Sequence, residues 1–231
     1  MPQGLGRGYL FQGVHMPPEP AVKRTVAFID GQNLFHAARE SFGYPYPNYD
    51  VSALAIAVCQ AQGWALSQTR FYTGIPDSTD DPFWHGFWSA KLSVMGRQGV
   101  HIFSRSLRYR NRVVTLPDGT KHTFLAGEEK GIDVRIALDI IGLAHRKEFD
   151  VALIFSQDQD LSEVAEEIRA IAREQNRWIK VASAFPFSPT TRNRRGIAKT
   201  DWIRIERATY DACLDRRDYR SKKVPRPGGN P

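Results

Sequence analysis

Short apolar runs that end at an acid constrain this chain more than any other feature. VAFID stops at Asp30, and VALIF is followed directly by SQDQD, which carries Asp158 and Asp160. A third acid, Asp133, opens the helical stretch KGIDVRIALD. A buried strand has no use for a charge at its tip unless something positive sits there. In an open α/β sheet that tip is where ligands bind. The pattern therefore points to a cation held by carboxylates, and to metal-assisted chemistry on phosphates.

The order of elements agrees with that placement. Thr25–Asp30 reads as a first strand and GQNLFHAARESF after it has helical spacing. Asp50 or Ser52 can cap an apolar helix that Gly63 stops. Leu66–Thr73 and Val100–Leu107 read as strands on either side of an aromatic-rich helix from about Pro82 to Arg97. The PDGT turn at 117–120 between RYRNRVVTL and KHTFLAG is a hairpin signal. Gly131–Lys147 reads as a helix, Val151–Phe155 as a buried strand and Leu161–Gln175 as an amphipathic helix. Trp178–Ala184 reads as a fifth strand and Asp201–Leu214 as a closing helix. Strands alternating with helices imply a doubly wound, mainly parallel α/β sheet of about five strands flanked by helices.

The expected organisation is a disordered leader over residues 1–22, one domain over 23–215 and a basic flexible tail over 216–231. Met16, just ahead of the first strand, reads as a natural start. The leader has no signal-peptide core, and no apolar run approaches the roughly 20 residues of a membrane helix. Cys59 and Cys213 offer no metal-ligand spacing and fit a reducing cytoplasm. A net charge of +7 favours a polyanionic partner, and part of it is concentrated in Arg192, Arg194, Arg195 and Lys199.

Each acid has a plain structural alternative. Asp30 can serve as a helix N-cap. Asp133 shares a helical stripe with Ala137, Ile140 and Ala144, where a lone charge is costly unless paired or metal-bound. Asp139 follows Arg135 by four residues, so a solvated helix pair explains it as well as a catalytic duty does. Asp158 and Asp160 flank one glutamine, more acid than a cap requires. Carboxylates brought to ~4 Å without a cation repel by about 4 kcal/mol at an effective dielectric near 20. All-oxygen ligation suits Mg²⁺ or Mn²⁺ better than zinc. Trp84, Phe87 and Trp88 read as a core stripe rather than a base-stacking platform. Arg108, Arg110 and Arg112 alternate along the hairpin, as a phosphate-tracking face or a solvated one.

FIDGQNL, KGIDVRIALDI and IFSQDQDL, in that order and spacing, resemble the NYN domain, the LabA-like branch of the PIN-like nucleases. The resemblance covers about residues 24 to 187. It implies a PIN-like parallel sheet, an acidic pocket for Mg²⁺ or Mn²⁺, and RNA, taken as single-stranded, as substrate. Carried onto this chain, the catalytic positions are Asp30, Asn33, Asp133, Asp158 and Asp160. Of these, Asp30, Asp133, Asp158 and Asp160 are the metal ligands, and Asp139 is a further position. Arg192, Arg194, Arg195 and Lys199, in the loop after the fifth strand, are placed to hold RNA phosphates. The chain departs from the family where the last motif usually reads like SGDSDF, since it has Gln157, Gln159 and Leu161. That departure keeps open a non-catalytic RNA-binding module; a small-molecule phosphatase has the same acids but lacks a DxDxT nucleophile motif. Oligomeric state is left open, a homodimer included.

Overall fold

The computed structural model describes residues 17–220. Strand β1 (Arg24–Asp30) leads through helices α1 (Gly31–Phe42) and α2 (Val51–Ala61) to β2 (Ala65–Ile75), then through α3 (Pro82–Arg97) to β3 (His101–Ser106). A hairpin of β4 (Arg108–Thr115) and β5 (Lys121–Glu128) interrupts the alternation. Helix α4 (Ile132–His145), β6 (Val151–Phe155), α5 (Ser162–Glu174), β7 (Lys180–Pro186), β8 (Asp201–Ile205) and α6 (Arg207–Ala212) complete the chain. Six parallel strands lie in the order β3-β2-β1-β6-β7-β8.

This order explains the unbroken apolar runs. On β1, Ala27 and Ile29 enter a core with α1, α2 and α3, while Val26 and Phe28 enter a second core with α4 and α5. On β6, Leu153 and Phe155 join the first core, and Ala152 and Ile154 the second. A strand covered on both faces has no solvent side on which to place polar residues. Each fully buried Phe or Ile contributes about 1.5–3 kcal/mol relative to exposure. Among the described residues, no helix is long and apolar enough to cross a membrane.

Strands β1, β2 and β3 build outward in one direction from the centre, and β6, β7 and β8 in the other. The reversal falls between β1 and β6, and the crevice at the carboxyl ends of such a pair is where α/β sheets bind ligands. Gly31 lets α1 begin there: a Cβ at this position would lie 2.5 Å from Cζ of Phe71 and 3.0 Å from the carbonyl oxygen of Tyr72.

The sheet has six strands where about five were expected, because Asp201–Ile205 is an edge strand paired with β7 rather than the start of the closing helix. That helix begins only at Arg207. The apolar positions Trp202, Ile203 and Ile205 satisfy either reading over so short a stretch, and pairing with β7 decides it. The chain must therefore return from the carboxyl end of β7 to start β8, and residues 187–200 make that crossing without a helix. Met16, the leader to that point and residues 221–231 of the tail fall outside the described residues.

Lys91 ties the last segment to the body. Its side chain is 1% exposed, donates to the Tyr49 carbonyl at 2.8 Å and pairs with Asp215 at 3.5 Å. Its ammonium also lies over the Tyr49 and Tyr219 rings, at 5.4 and 5.0 Å. Burial outweighs the attraction of Asp215 and pushes the Lys91 pKa down to about 8. The unfolded chain therefore holds this proton more tightly between about pH 8 and 10.5, so this group makes stability rise across that window. Lys91→Met should remove that rise. It should also cost about 1–2 kcal/mol near neutral pH, since Asp215 loses its ammonium and keeps Arg217 at 3.6 Å and the Tyr219 hydroxyl at 2.6 Å. Urea unfolding as a function of pH checks both, and an unchanged midpoint would show that the clamp contributes nothing.

Candidate acidic site

Asp30 ends β1 and caps α1, its Oδ1 accepting the N–H of Asn33 at 3.0 Å and its Oδ2 the Ser156 hydroxyl at 3.3 Å. The Asn33 side chain accepts the N–H of Gln157 at 2.9 Å, so the tips of β1 and β6 are laced together. Asp158 caps the single 3₁₀ turn after β6 by accepting the N–H of Asp160 at 3.0 Å. Asp133 lies in the first turn of α4, where the helix dipole favours a carboxylate. The capping alternative for Asp30 thus holds, and it does not exhaust the residue, because Asp30, Asp133 and Asp158 line one cavity of about 170 Å³.

The remaining acid of that cavity is Glu129, which the sequence reading passed over. It follows β5, and the Gly74 N–H donates to its carboxylate. The signal was the pair Glu128-Glu129 ahead of KGID. Adjacent residues leaving a strand face opposite ways. Glu128 takes the outward side, paired with Arg112 at 2.6 Å and Arg110 at 3.9 Å, and Glu129 the inward one. Those pairs also account for two of the hairpin arginines. Asp160 is exposed and does not line the cavity, so Glu129 stands where Asp160 was expected. Asp139 is likewise elsewhere: it receives Arg70 at 3.2 Å, the Tyr72 hydroxyl at 2.8 Å and Arg135 at 2.8 Å, tying α4 to β2.

The acids raise one another. Burial pushes Asp30 up to about 6, with the charges of Asp158 and Asp133 adding to the rise. Burial pushes Glu129 up to about 8, with Asp30 and Asp133 adding. Among the described residues, neither carboxylate has an ion-pair partner. Among the described residues, no three acids, histidines or cysteines are already gathered into a coordinating set. The carboxylates instead stand around open space. All-oxygen donors of this kind suit a hard cation that keeps part of its water shell, as Mg²⁺ does.

The basic loop divides in two. Lys199 pairs with Glu166 on α5 and its carbonyl accepts Arg169 at 2.6 Å, while Asp201 pairs with Lys180 at the start of β7. Lys199 therefore sits toward the amino edge, a correction that follows from the unexpected β8. Arg194 donates to Thr191 and Pro189 carbonyls of its own loop, at 2.9 and 2.5 Å. Arg192 and Arg195 are exposed, and their guanidinium groups have no partner among the described residues.

The two glutamines that depart from the family motif hold this loop. Gln157 donates to the carbonyls of Asn193 and Arg195 at 3.0 and 2.8 Å. Gln159 donates to the Gly196 carbonyl at 3.1 Å and accepts the Ala198 N–H at 3.1 Å. Glycine and a small residue at these positions would provide none of the four bonds.

The family model of the NYN domain matches residues 24–193. No curated protein matches the chain. Among solved structures, a protein of unknown function from Vibrio parahaemolyticus is 19% identical, covering 81% of this chain and 96% of its own, with a TM-score of 0.48. Ribokinase from Giardia lamblia is 11% identical over 74% of this chain and 53% of its own, with a TM-score of 0.35. MurG from Acinetobacter baumannii is 12% identical over 78% and 45%, with a TM-score of 0.29. Likenesses at that level carry no argument about chemistry. The match over residues 24–193, with the doubly wound sheet and the acids at its switch point, places the assignment on firm ground: the chain belongs to the NYN domain family, with the PIN-like α/β fold expected of it.

Proposed function

We propose that the chain is a divalent-metal-dependent ribonuclease that hydrolyses RNA phosphodiester bonds at the acidic cavity, in a cytoplasmic setting where Cys59 and Cys213 stay reduced. Membership of a nuclease-like family makes RNA the natural class of substrate. One observation carries the catalytic reading. Asp30, Glu129, Asp133 and Asp158 converge on one cavity at the switch point, and the buried Asp30 and Glu129 are raised further by neighbouring acids. Such repulsion is tolerated where a cation is to be received.

Asp30, Asp133 and Asp158 would hold Mg²⁺ or Mn²⁺, with Glu129 completing the acidic wall. When bound, the ion offsets charge on the scissile phosphate and makes water more acidic. Asn33 keeps Asp30 and Gln157 in register and leaves the carboxylate oriented toward the cavity. Glu129, raised to about 8, is suited to hold or release a proton near neutral pH. Arg192 and Arg195 supply positive charge on the loop that Gln157 and Gln159 anchor, and phosphate contacts of this kind position a strand without reading its sequence. A second reading, RNA binding without cleavage, draws on the absence of a gathered coordinating set among the described residues.

Stability reports the cation. Asp30 and Glu129 have folded pKa values above their ordinary ones, so their contribution is fully present below about pH 4 and is lost as pH rises through about 6 and then 8. Without divalent ions, the melting temperature should fall across that window. Mn²⁺ should restore it most at pH 8, by about 2.7 kcal/mol at a hundredfold excess over its dissociation constant. A Mn²⁺ shift left intact in Asp30→Asn, Asp133→Asn and Asp158→Asn alike would exclude a shared site.

Cleavage and binding should separate in a labelled-RNA assay with Mn²⁺ or EDTA. Asp158→Asn should abolish cleavage while leaving RNA binding unchanged or tighter, since it removes negative charge beside a phosphate. Cleavage surviving in that variant would remove the metal mechanism.

The double variant Gln157→Ala, Gln159→Ala should release the basic loop. RNA affinity should fall several-fold and its salt dependence flatten, with the Mn²⁺ melting shift retained. Anisotropy across a salt series checks this; an unaltered slope would detach the loop from the RNA path.

A further inference from the structure

Beside the acidic cavity lies a groove of about 270 Å³ lined by Gln32, Phe35, His36, Trp84, Trp88 and Leu107, among others. The two spaces share a wall. Gly74 lines the groove, while its N–H donates to Glu129 of the acidic cavity, and Gln32 lies two residues beyond Asp30. We propose that this groove is a nucleobase-binding site, receiving one base of the RNA strand whose phosphodiester lies at the acids. The assignment rests on the nuclease reading above.

The chemistry of the lining favours a flat, neutral ring system. Among the described residues, no acidic, lysine or arginine side chain lines the groove, so it suits a base better than a phosphate. Trp88 is 6% exposed and forms part of the core, whereas Phe35 and Trp84 are only half-buried. Both half-buried rings have fixed neighbours. Trp84 is held edge-on by Phe83 and Phe87, with centroids at 5.3 and 5.2 Å. Phe35 lies under the Arg39 guanidinium at 5.6 Å and against the His36 ring at 5.4 Å. Rings fixed in place but not enclosed form a stacking platform, and base–aromatic stacking is tolerant of sequence.

Gln32 adds a polar element. Its amide has no partner among the described residues, and an amide carries both donors and an acceptor. That combination matches the edge of a base. A peptide or lipid occupant would find the apolar walls equally suitable, but would leave unexplained why the groove opens against the acidic cavity. Phe87 and Trp88 follow the core reading of the aromatic stripe, and Trp84 packs against the same core while keeping part of its ring at the surface.

The test uses the full chain carrying Asp158→Asn, so that binding is read without cleavage. Single-stranded RNA of about eight nucleotides, with one abasic position moved along the strand, is titrated by anisotropy and by tryptophan fluorescence. One position should bind about tenfold more weakly when its base is missing, and should lose the quenching of Trp84 and Trp88. Adding Phe35→Ala, or Phe35→Leu to preserve packing, should impose the same loss and abolish sensitivity to that position. Equal binding at every abasic position, or a positional loss that persists in both Phe35 variants, would overturn the assignment. Base-dependent binding by a wild-type chain that cleaves nothing with Mn²⁺ would keep the groove and remove the nuclease. Cleavage with a uniform abasic profile would do the reverse.

Discussion

Asp30 is the point on which the rest of the structure turns, because one carboxylate meets two demands. Its Oδ1 closes the first turn of α1 and its Oδ2 reaches across to β6 through Ser156. Both bonds favour the ionised form, while burial and the neighbouring acids oppose it. The β1–β6 junction is therefore held by a group whose charge the fold itself disfavours. An N-cap alone could be asparagine or serine at similar strength. Only a role beyond capping gives a reason to retain an acid in that place.

The two edges of the sheet treat buried acid in opposite ways. At the amino edge, Asp150 is 7% exposed and is met by Arg24 at 3.0 Å and Arg177 at 3.1 Å. Those pairs hold its carboxyl below the usual range despite burial. At the carboxyl edge Asp30 and Glu129 are pushed upward instead. The chain has 32 basic residues, so the difference is not a shortage of cations. It is a matter of placement: Asp150 is met by two arginines, while among the described residues Asp30 and Glu129 have no ion-pair partner.

Much of this was legible in the sequence because it is local. Apolar runs marked β1 and β6, and acids at their tips marked Asp30 and Asp158. What escaped depended on partners far along the chain. Asp201–Ile205 is a strand because β7 lies beside it, and its five residues suit a helix turn equally well. Lys199 was misplaced as a direct result, since a loop that must cross the sheet carries its end to the other edge. Gln157 and Gln159 read only as departures from the family motif because the carbonyls they hold lie 36 to 38 residues on. Glu129 was hidden in plain view by a neighbour of the same type that does nothing but pair with arginine.

The crossing from β7 to β8 has a consequence for how the molecule can respond. A helix in that place would insulate the sheet edge from events at the crevice. Here one stretch of backbone touches the acidic motif through its glutamines, then places Ile197 in the core beneath the Ser183 hydroxyl, then becomes the edge strand. The backbone beside the acidic motif and the edge strand are thus one covalent run, pinned at one end by Gln157 and Gln159 and at the other by pairing with β7, so a substitution at either end must satisfy both.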